Sequence, residues 1–267
     1  DRGEGAELLG DLAVGPRRDR LAGARVAEGQ REHADEHLVV AELAVAADVG
    51  DAGDAALDPD GAQAVDAGAV DQHVALAAVD PREAAAVVIT GSAANVPDRA
   101  PWMLKTEAYL RNVVALGVPT FGICFGHQIL AQALGGEVRK NPRGREIGTR
   151  HIKKLAHDPI FEGIPDEFKA SVTHIDTVAK LPSGTTVLAK NDFDDHHALR
   201  FTETCYGVQF HPELDADVMR GYVEHRWDTL ASEGIVVDEL HRSIEECEFG
   251  RRTLLNFVHH VIPRKRI

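Results

Sequence analysis

Residues 121–128, Phe-Gly-Ile-Cys-Phe-Gly-His-Gln, join a short apolar run to a segment with helical spacing. The run at 118–123 predicts a buried strand, and residues 126–134 predict a helix that Gly135-Gly136 closes. A similar pair comes before it, with a strand predicted over 84–90 and a helix over 101–116. This alternation of strands and helices predicts an α/β fold with a parallel sheet.

The rest of the chain completes this fold. We expect a β-rich middle and a helical C-terminal part, and together they predict a flavodoxin-like three-layer sandwich with a mostly parallel central sheet. The expected strands lie at 147–155, 168–173, 177–180, 186–189 and 206–210, and the expected helices at 216–232 and 237–261.

The position of Cys124 between strand and helix predicts a nucleophile. The spacing Gly-x-Cys-x-Gly is the cysteine counterpart of the nucleophile elbow, in which glycines permit a sharp turn that lifts the reactive atom above the sheet. A helix N-terminus favours thiolate over thiol, and the N–H of Phe125 can point at a developing oxyanion. A buried structural cysteine at a strand end is the simpler alternative.

A second motif supplies the base that a thiol nucleophile needs. Residues 207–213, Gly-Val-Gln-Phe-His-Pro-Glu, end a predicted strand at His211 and place Glu213 two residues later. His211 can share a proton with Cys124, and Glu213 can hold the imidazole in the required tautomer. Taken alone, this motif also suits a surface histidine beside an acidic loop.

Together the two motifs resemble those of the class I glutamine amidotransferases, and the sequence is similar to the glutaminase domains of GMP synthases and their stand-alone relatives. The resemblance covers about residues 84–262. It implies that Cys124 attacks the side-chain amide of glutamine to form a γ-glutamyl thioester, that His211 transfers protons, and that Glu213 orients His211.

The resemblance also implies the residues that surround the substrate. The expected oxyanion donors are the backbone amides of Ser92 and Phe125, in a loop where the family usually has Gly-Gly-Pro and this chain has Gly91-Ser92-Ala93. The residues expected to bind the substrate are Gly91, Gln128, Thr173, His174, Ile175 and Asp176.

The implied function is glutamine hydrolysis, with ammonia passed to an acceptor on a separate synthase partner. Two alternatives remain, which are a γ-glutamyl peptidase or hydrolase acting alone and a catalytically silent interaction module. No cofactor is expected. No metal is expected either, because His196-His197 beside Asp194-Asp195 fits no usual ligand spacing.

The first third of the chain has a different character. Residues 1–88 hold 19 acidic residues against 7 arginines, and they use only ten residue types, all encodable by codons that begin with G or C. We therefore expect residues 1–83 to be a low-complexity acidic segment, either disordered or translated from a non-native frame, and residues 84–267 to be the amidotransferase domain. The first strand and helix of the family fold would then be missing or replaced.

Charge and hydropathy exclude several classes of protein. The net charge of −14 argues against a nucleic-acid surface, but almost all of it lies in residues 1–88, so it says little about the partners of the amidotransferase domain. No apolar run approaches the length of a membrane span. The chain opens with no charged-then-apolar leader, and its three cysteines are too scattered for a disulfide framework. We expect a cytoplasmic protein that binds glutamine or a γ-glutamyl small molecule.

Overall fold

The structure is a computed structural model that describes residues 80–263. The predicted acidic segment over 1–83 lies outside the described residues except for its last four. The expectation that the first strand and helix of the fold are missing or replaced lies there too, and it stays a prediction. The domain predicted over 84–267 lies within the described range except for residues 264–267.

Within residues 80–263 the chain forms nine strands and six α-helices. The strands are β1 Val87–Ile89, β2 Thr120–Ile123, β3 Glu137–Lys140, β4 Glu146–Lys154, β5 Glu167–His174, β6 Asp176–Lys180, β7 Thr186–Lys190, β8 Ala198–Arg200 and β9 Cys205–Val208. The helices are α1 Pro101–Ala115, α2 Phe125–Ala133, α3 Ala216–His225, α4 Trp227–Ser232, α5 Val237–Arg242 and α6 Glu248–Asn256, and a π-helical turn, Phe257–Val261, follows α6. No helix in this range is long and apolar enough to cross a membrane.

Seven strands form one mixed sheet in the order β1-β2-β9-β8-β7-β4-β5, and β3 pairs with β6 in a separate ribbon. The α/β fold class is confirmed, with parallel pairing confined to β1, β2 and β9. The remaining pairs of the large sheet are antiparallel. The antiparallel part of the sheet is therefore larger than the prediction of a mostly parallel sheet implied. Strands β7, β8 and β9 follow one another without a crossover helix, and short connections of this kind join antiparallel neighbours.

Helices cover both faces of the parallel part. On one face, Val87 and Ile89 of β1 pack in a buried cluster with Leu110 of α1 and Ile129 of α2. On the other face, the rings of Phe121 and Phe257 lie 5.0 Å apart between centroids. The three layers expected from the sequence are therefore present.

The structure differs from the predicted elements in four places. Strands β3 and β8 are additional to those predicted, and β3 buries only Val138. The helix predicted over 216–232 is broken at Arg226, whose φ of −102° and ψ of 19° are not helical. The helix predicted over 237–261 is interrupted before α6, where the amide of Glu245 donates to Oγ1 of Thr149 on β4.

The antiparallel half curls back toward the parallel half. In strand order β5 lies four places from β9, yet the amide of His211, three residues after β9, donates to the carbonyl of Ser171 on β5 at 2.8 Å. This isolated antiparallel bridge brings the end of β5 to the ends of β2 and β9. The carboxyl ends of parallel strands are where α/β sheets bind ligands, so the curl adds β5 to that edge.

We expect Gly126→Ala to destabilise the fold strongly. A Cβ at this position would lie 2.1 Å from the carbonyl oxygen of Ile89, so α2 and β1 would have to separate. Chemical denaturation should show a loss of about 2 kcal/mol or more in the free energy of unfolding.

Gly221→Ala is the matched control, because Gly221 lies in α3 and a Cβ there would meet nothing within 4 Å. Alanine is the better helix former, so this variant should gain about 0.5–1 kcal/mol. Equal stability changes in the two variants would contradict the close approach of α2 to β1.

Candidate active site

Cys124 lies at a strained turn between β2 and α2. Its φ of 50° and ψ of −102° are rarely adopted by a non-glycine residue, and such a conformation costs about 1–3 kcal/mol. The flanking glycines explain how the turn is accommodated, because a Cβ on Gly122 would lie 2.5 Å from the carbonyl group of Gly126. The amide of Cys124 donates to the carbonyl of Val208 on β9 at 2.8 Å, which fixes the turn to the neighbouring strand.

The other two cysteines lie in settings that suppress the thiolate. Cys205 and Cys247 are buried, and burial raises the pKa of both thiols. The thiolate is the reactive form of cysteine, so neither is placed as a nucleophile.

His211 and Glu213 form a close pair beside Cys124. The Nδ1–H of His211 donates to Oε1 of Glu213 at 2.7 Å, which leaves Nε2 as the nitrogen available for proton transfer. Among the described residues Nε2 of His211 has no hydrogen-bond partner. A Cβ on Gly91 would lie 3.0 Å from Cε1 of His211 and 3.9 Å from Cβ of Cys124. Gly91 therefore lies against both residues, and its lack of a side chain allows them to approach.

The charge state of His211 is set by its neighbours. Burial lowers the pKa of the imidazole, but the charges of Glu213 and of a Cys124 thiolate outweigh burial and raise the pKa well above its usual value. An imidazolium beside a cysteine sulfur can stabilise a thiolate and can also protonate a leaving amine.

The expected oxyanion donors lie beside the cysteine. Phe125 is the first residue of α2, so its amide lies in the first turn, where helix N–H groups have no partner within the helix. Ser92 follows Gly91 in the loop after β1, and its hydroxyl accepts a hydrogen bond from the amide of Ala94 at 3.0 Å. That turn gives the loop a defined shape although it lacks the second glycine usual in the family.

The loop expected to bind the substrate, residues 173–176, consists of the last two residues of β5, Ile175 and the first residue of β6, and it contacts the elbow. Sγ of Cys124 lies 3.7 Å from the carbonyl oxygen of Thr173. Nε2 of Gln128 donates to the carbonyl of Asp176 at 2.9 Å and to Oε1 of Gln209 at 3.0 Å. The carbonyl of Ile175 accepts from the amide of Asn141 at 2.8 Å. Gln128 thus holds the loop through its amide nitrogen, and its role toward a substrate stays a prediction.

Several buried polar atoms around Cys124 have no hydrogen-bond partner among the described residues. They are Oγ1 of Thr173, Nε2 of Gln209, Nε2 of His211 and Oε2 of Glu213. Most buried polar atoms in folded proteins are paired, so this grouping suits a site that binds a polar molecule.

Two buried residues that the sequence did not single out for this site, Glu146 and His197, contact the predicted loop residue His174. Oε2 of Glu146 lies 2.8 Å from Nε2 of His174 and 3.1 Å from Nε2 of His197. Glu146 is 28 residues from His174 and 51 from His197 along the chain, so no local motif connects them.

These three side chains could hold a metal ion by proximity alone, since one ligand atom from each lies within 4.8 Å of the others. His174, however, contacts an oxygen acceptor at both ring nitrogens, the carboxylate of Glu146 and the carbonyl of Asp176. Direct hydrogen bonds therefore account for the arrangement.

His127 of the first motif packs against the second motif. A Cβ on Gly207 would lie 2.7 Å from Nδ1 of His127, so the glycine of the second motif provides the space that this imidazole occupies. Burial, together with the nearby His196, lowers the pKa of His127 to about 3. The ring is therefore neutral at physiological pH.

We expect the Cε1–H resonance of His127 to show no titration between pH 8 and pH 5 in an NMR experiment. The unfolded chain protonates this residue near pH 6.5 and the folded chain only near pH 3, so its contribution to stability falls as the pH drops through that window, by up to about 1.4 kcal/mol per pH unit. His127→Gln assigns the resonance by its disappearance. A resonance that titrates near pH 6.5 would contradict the buried neutral ring.

Comparison with known proteins adds three findings. The family model "Glutamine amidotransferase class-I" matches residues 70–225. The chain is 39% identical over 132 residues to a GMP synthase [glutamine-hydrolyzing] of Thermosipho africanus. The aligned region covers 49% of this chain and 24% of that protein. It is 35% identical over 135 residues to one subunit of a GMP synthase [glutamine-hydrolyzing] of Pyrococcus abyssi, covering 50% of this chain and 68% of that subunit.

A solved structure has the same fold. A glutamine amidotransferase from Thermotoga maritima superposes with a TM-score of 0.61 at 24% identity, covering 70% of this chain and 82% of that one. The chain spans only about a quarter of the length of the Thermosipho protein that it matches.

Proposed function

Because the chain belongs to the class I glutamine amidotransferase family, we propose that it hydrolyses the side-chain amide of glutamine with Cys124 as nucleophile, His211 as acid and base, and Glu213 as the group that orients His211. The observation that carries this proposal is the geometry around Cys124. A strained cysteine at a helix N-terminus lies beside a histidine whose Nδ1 is bound to a carboxylate at 2.7 Å.

In the acylation step, the thiolate of Cys124 attacks the amide carbon of glutamine. A C–S bond forms, and the carbonyl π-electrons move to the oxygen, which the amides of Phe125 and Ser92 would stabilise. When the tetrahedral intermediate collapses, the C–N bond breaks and His211 gives its Nε2 proton to the leaving nitrogen. Ammonia departs and a γ-glutamyl thioester remains on the sulfur.

In the deacylation step, neutral His211 takes a proton from water as the oxygen attacks the thioester carbon. The C–S bond then breaks, glutamate leaves, and the thiolate–imidazolium pair is restored. Glu213 supports both steps because it accepts the Nδ1–H of His211 and stabilises the imidazolium.

We further propose that the ammonia is used by a separate synthase partner. The support is the likeness to relatives that are each named as one subunit of a glutamine-hydrolysing GMP synthase, of which this chain covers 66% in Archaeoglobus fulgidus and 68% in Pyrococcus abyssi.

Cys124→Ala should abolish glutamine hydrolysis, with glutamate formation falling about a thousandfold or more because no thioester can form. Cys205→Ala is the matched control, since its thiol is also buried but lies within β9, and it should retain wild-type kcat. A glutamine-mimicking electrophile should label Cys124 in the wild type and leave Cys124→Ala unlabelled. Glutamate formation by Cys124→Ala at the wild-type rate would overturn the assignment.

Glu213→Gln should lower kcat about a hundredfold while KM changes little, because the amide accepts the same hydrogen bond without stabilising the imidazolium. Glu224→Gln is the matched control. Glu224 forms the same kind of pair with His241, at 2.9 Å, on the exposed surface. Equal kcat values for the two variants would contradict the proposed role of Glu213. If the protein hydrolyses γ-glutamyl conjugates faster than glutamine, a γ-glutamyl compound takes the place of glutamine as the proposed substrate.

A further inference from the structure

Glu146 and His174 face each other across neighbouring strands. They are register partners in the antiparallel β4–β5 pair, where directly opposed side chains lie close enough to interact. Nε2 of His174 lies 2.8 Å from Oε2 of Glu146, and both side chains are almost fully buried. A carboxylate is stable in such a place only when hydrogen bonds or a positive charge compensate it.

The hydrogen bonds of His174 fix its protonation. Nδ1 lies 2.9 Å from the carbonyl oxygen of Asp176, and a carbonyl can only accept, so Nδ1 carries a hydrogen. Nε2 faces the carboxylate of Glu146, which places a second proton between the two groups. His174 is therefore an imidazolium wherever Glu146 is ionised.

Other donors keep Glu146 ionised. Nε2 of His197 lies 3.1 Å from the same carboxylate oxygen, the side-chain amide of Asn191 donates to the other oxygen, and Nε of Arg150 lies 4.0 Å away. Burial raises the pKa of Glu146, but the hydrogen bonds from His174 and His197 outweigh burial and the net pKa is lowered. Burial likewise lowers the pKa of His174, and the hydrogen bond and charge of Glu146 reverse the shift.

The loop that His174 holds contacts Gln128 through one carbonyl and Cys124 through another. The carbonyl of Asp176 accepts from Nδ1 of His174 and also from Nε2 of Gln128 on α2. The carbonyl of Thr173, the residue before His174, lies 3.7 Å from Sγ of Cys124. A shift of the His174 ring would therefore move both carbonyls and the groups that touch them.

We propose that Glu146 is a positioning residue of the active site, which holds His174 and thereby sets the loop at 173–176 against Cys124 and Gln128. Glu146 does not touch the reacting atoms itself. The effect on turnover rests on the proposed glutaminase function, whereas the effect on the reactivity of Cys124 does not.

If Glu146 has only a structural role, substitution is expected to change stability but not activity. A buried hydrogen-bonded group that only stabilises the β4–β5 pair would lower the melting temperature on substitution. It would leave kcat and the reactivity of Cys124 unchanged at temperatures well below melting. Turnover and thiol reactivity therefore separate the two roles.

The decisive variant is Glu146→Gln, which keeps the size of the side chain and removes its charge. We expect kcat for glutamine to fall roughly ten- to a hundredfold and KM to change less, because small displacements of reacting groups have effects of this order. The second-order rate of alkylation of Cys124 by iodoacetamide, followed by mass spectrometry at one fixed pH, should fall in parallel. Glu167→Gln, at the exposed start of β5, removes a charge from the strand that pairs with β4 and should match the wild type.

His197→Phe provides a second, milder variant should Glu146→Gln fail to fold. Nδ1 of His197 has no hydrogen-bond partner among the described residues, so the substitution keeps a buried ring and removes only the contact with Glu146. A smaller fall in kcat and in alkylation rate than in Glu146→Gln is expected.

Each outcome bears on one proposal. If kcat and the alkylation rate of both variants stay within twofold of the wild type, Glu146 has no positioning role. If the wild type does not hydrolyse glutamine, the proposed function fails, and the alkylation rates alone decide whether Glu146 positions the loop beside Cys124.

Discussion

The backbone of Cys124 turns from β2 into α2 with a positive φ, and the surrounding structure must hold it there. Three strands contribute to this constraint. Gly126 lets α2 approach the end of β1, Gly122 lets β2 approach the first turn of α2, and the carbonyl of Val208 binds the amide of Cys124 from β9. Strain of this kind persists only where neighbouring groups over-determine the conformation. The parallel half of the sheet therefore provides the frame that keeps the sulfur at the sheet edge.

The antiparallel half completes the site from the other end of the strand order. β5 returns to the parallel half through the hydrogen bond between Ser171 and His211, so one residue of the proposed triad is held by both halves. Two residues further along β5, Thr173 reaches the sulfur of Cys124. The distance between nucleophile and base thus depends on how the antiparallel strands curl, a long-range property that no single motif encodes.

The sequence predicted well what depends on neighbours along the chain. The elbow around Cys124 and the pair His211–Glu213 each lie within eight residues, so local spacing could single them out, and the two motifs together indicated the chemistry that we propose. Strand β3 was missed because it buries only Val138, which leaves no alternating apolar pattern to detect. Glu146 and His197 were missed as neighbours of His174 for a different reason. Their contacts arise from the register of β4 on β5 and from the fold of the 191–197 loop, and neither can be read from local composition.

Two imidazole–carboxylate pairs lie near Cys124, and their surroundings determine whether the imidazole can exchange its proton. Nδ1 of His211 is bound to Glu213, whose side chain is 26% exposed, and Nε2 of His211 has no partner among the described residues. That imidazole can release a proton and regain it. Both nitrogens of His174 are bound, and the side chain of Glu146 is fully buried. Loss of the proton from His174 would leave a buried carboxylate without its counter-charge, which costs several kcal/mol. The same pair of functional groups therefore suits proton transfer at His211 and a fixed charge at His174.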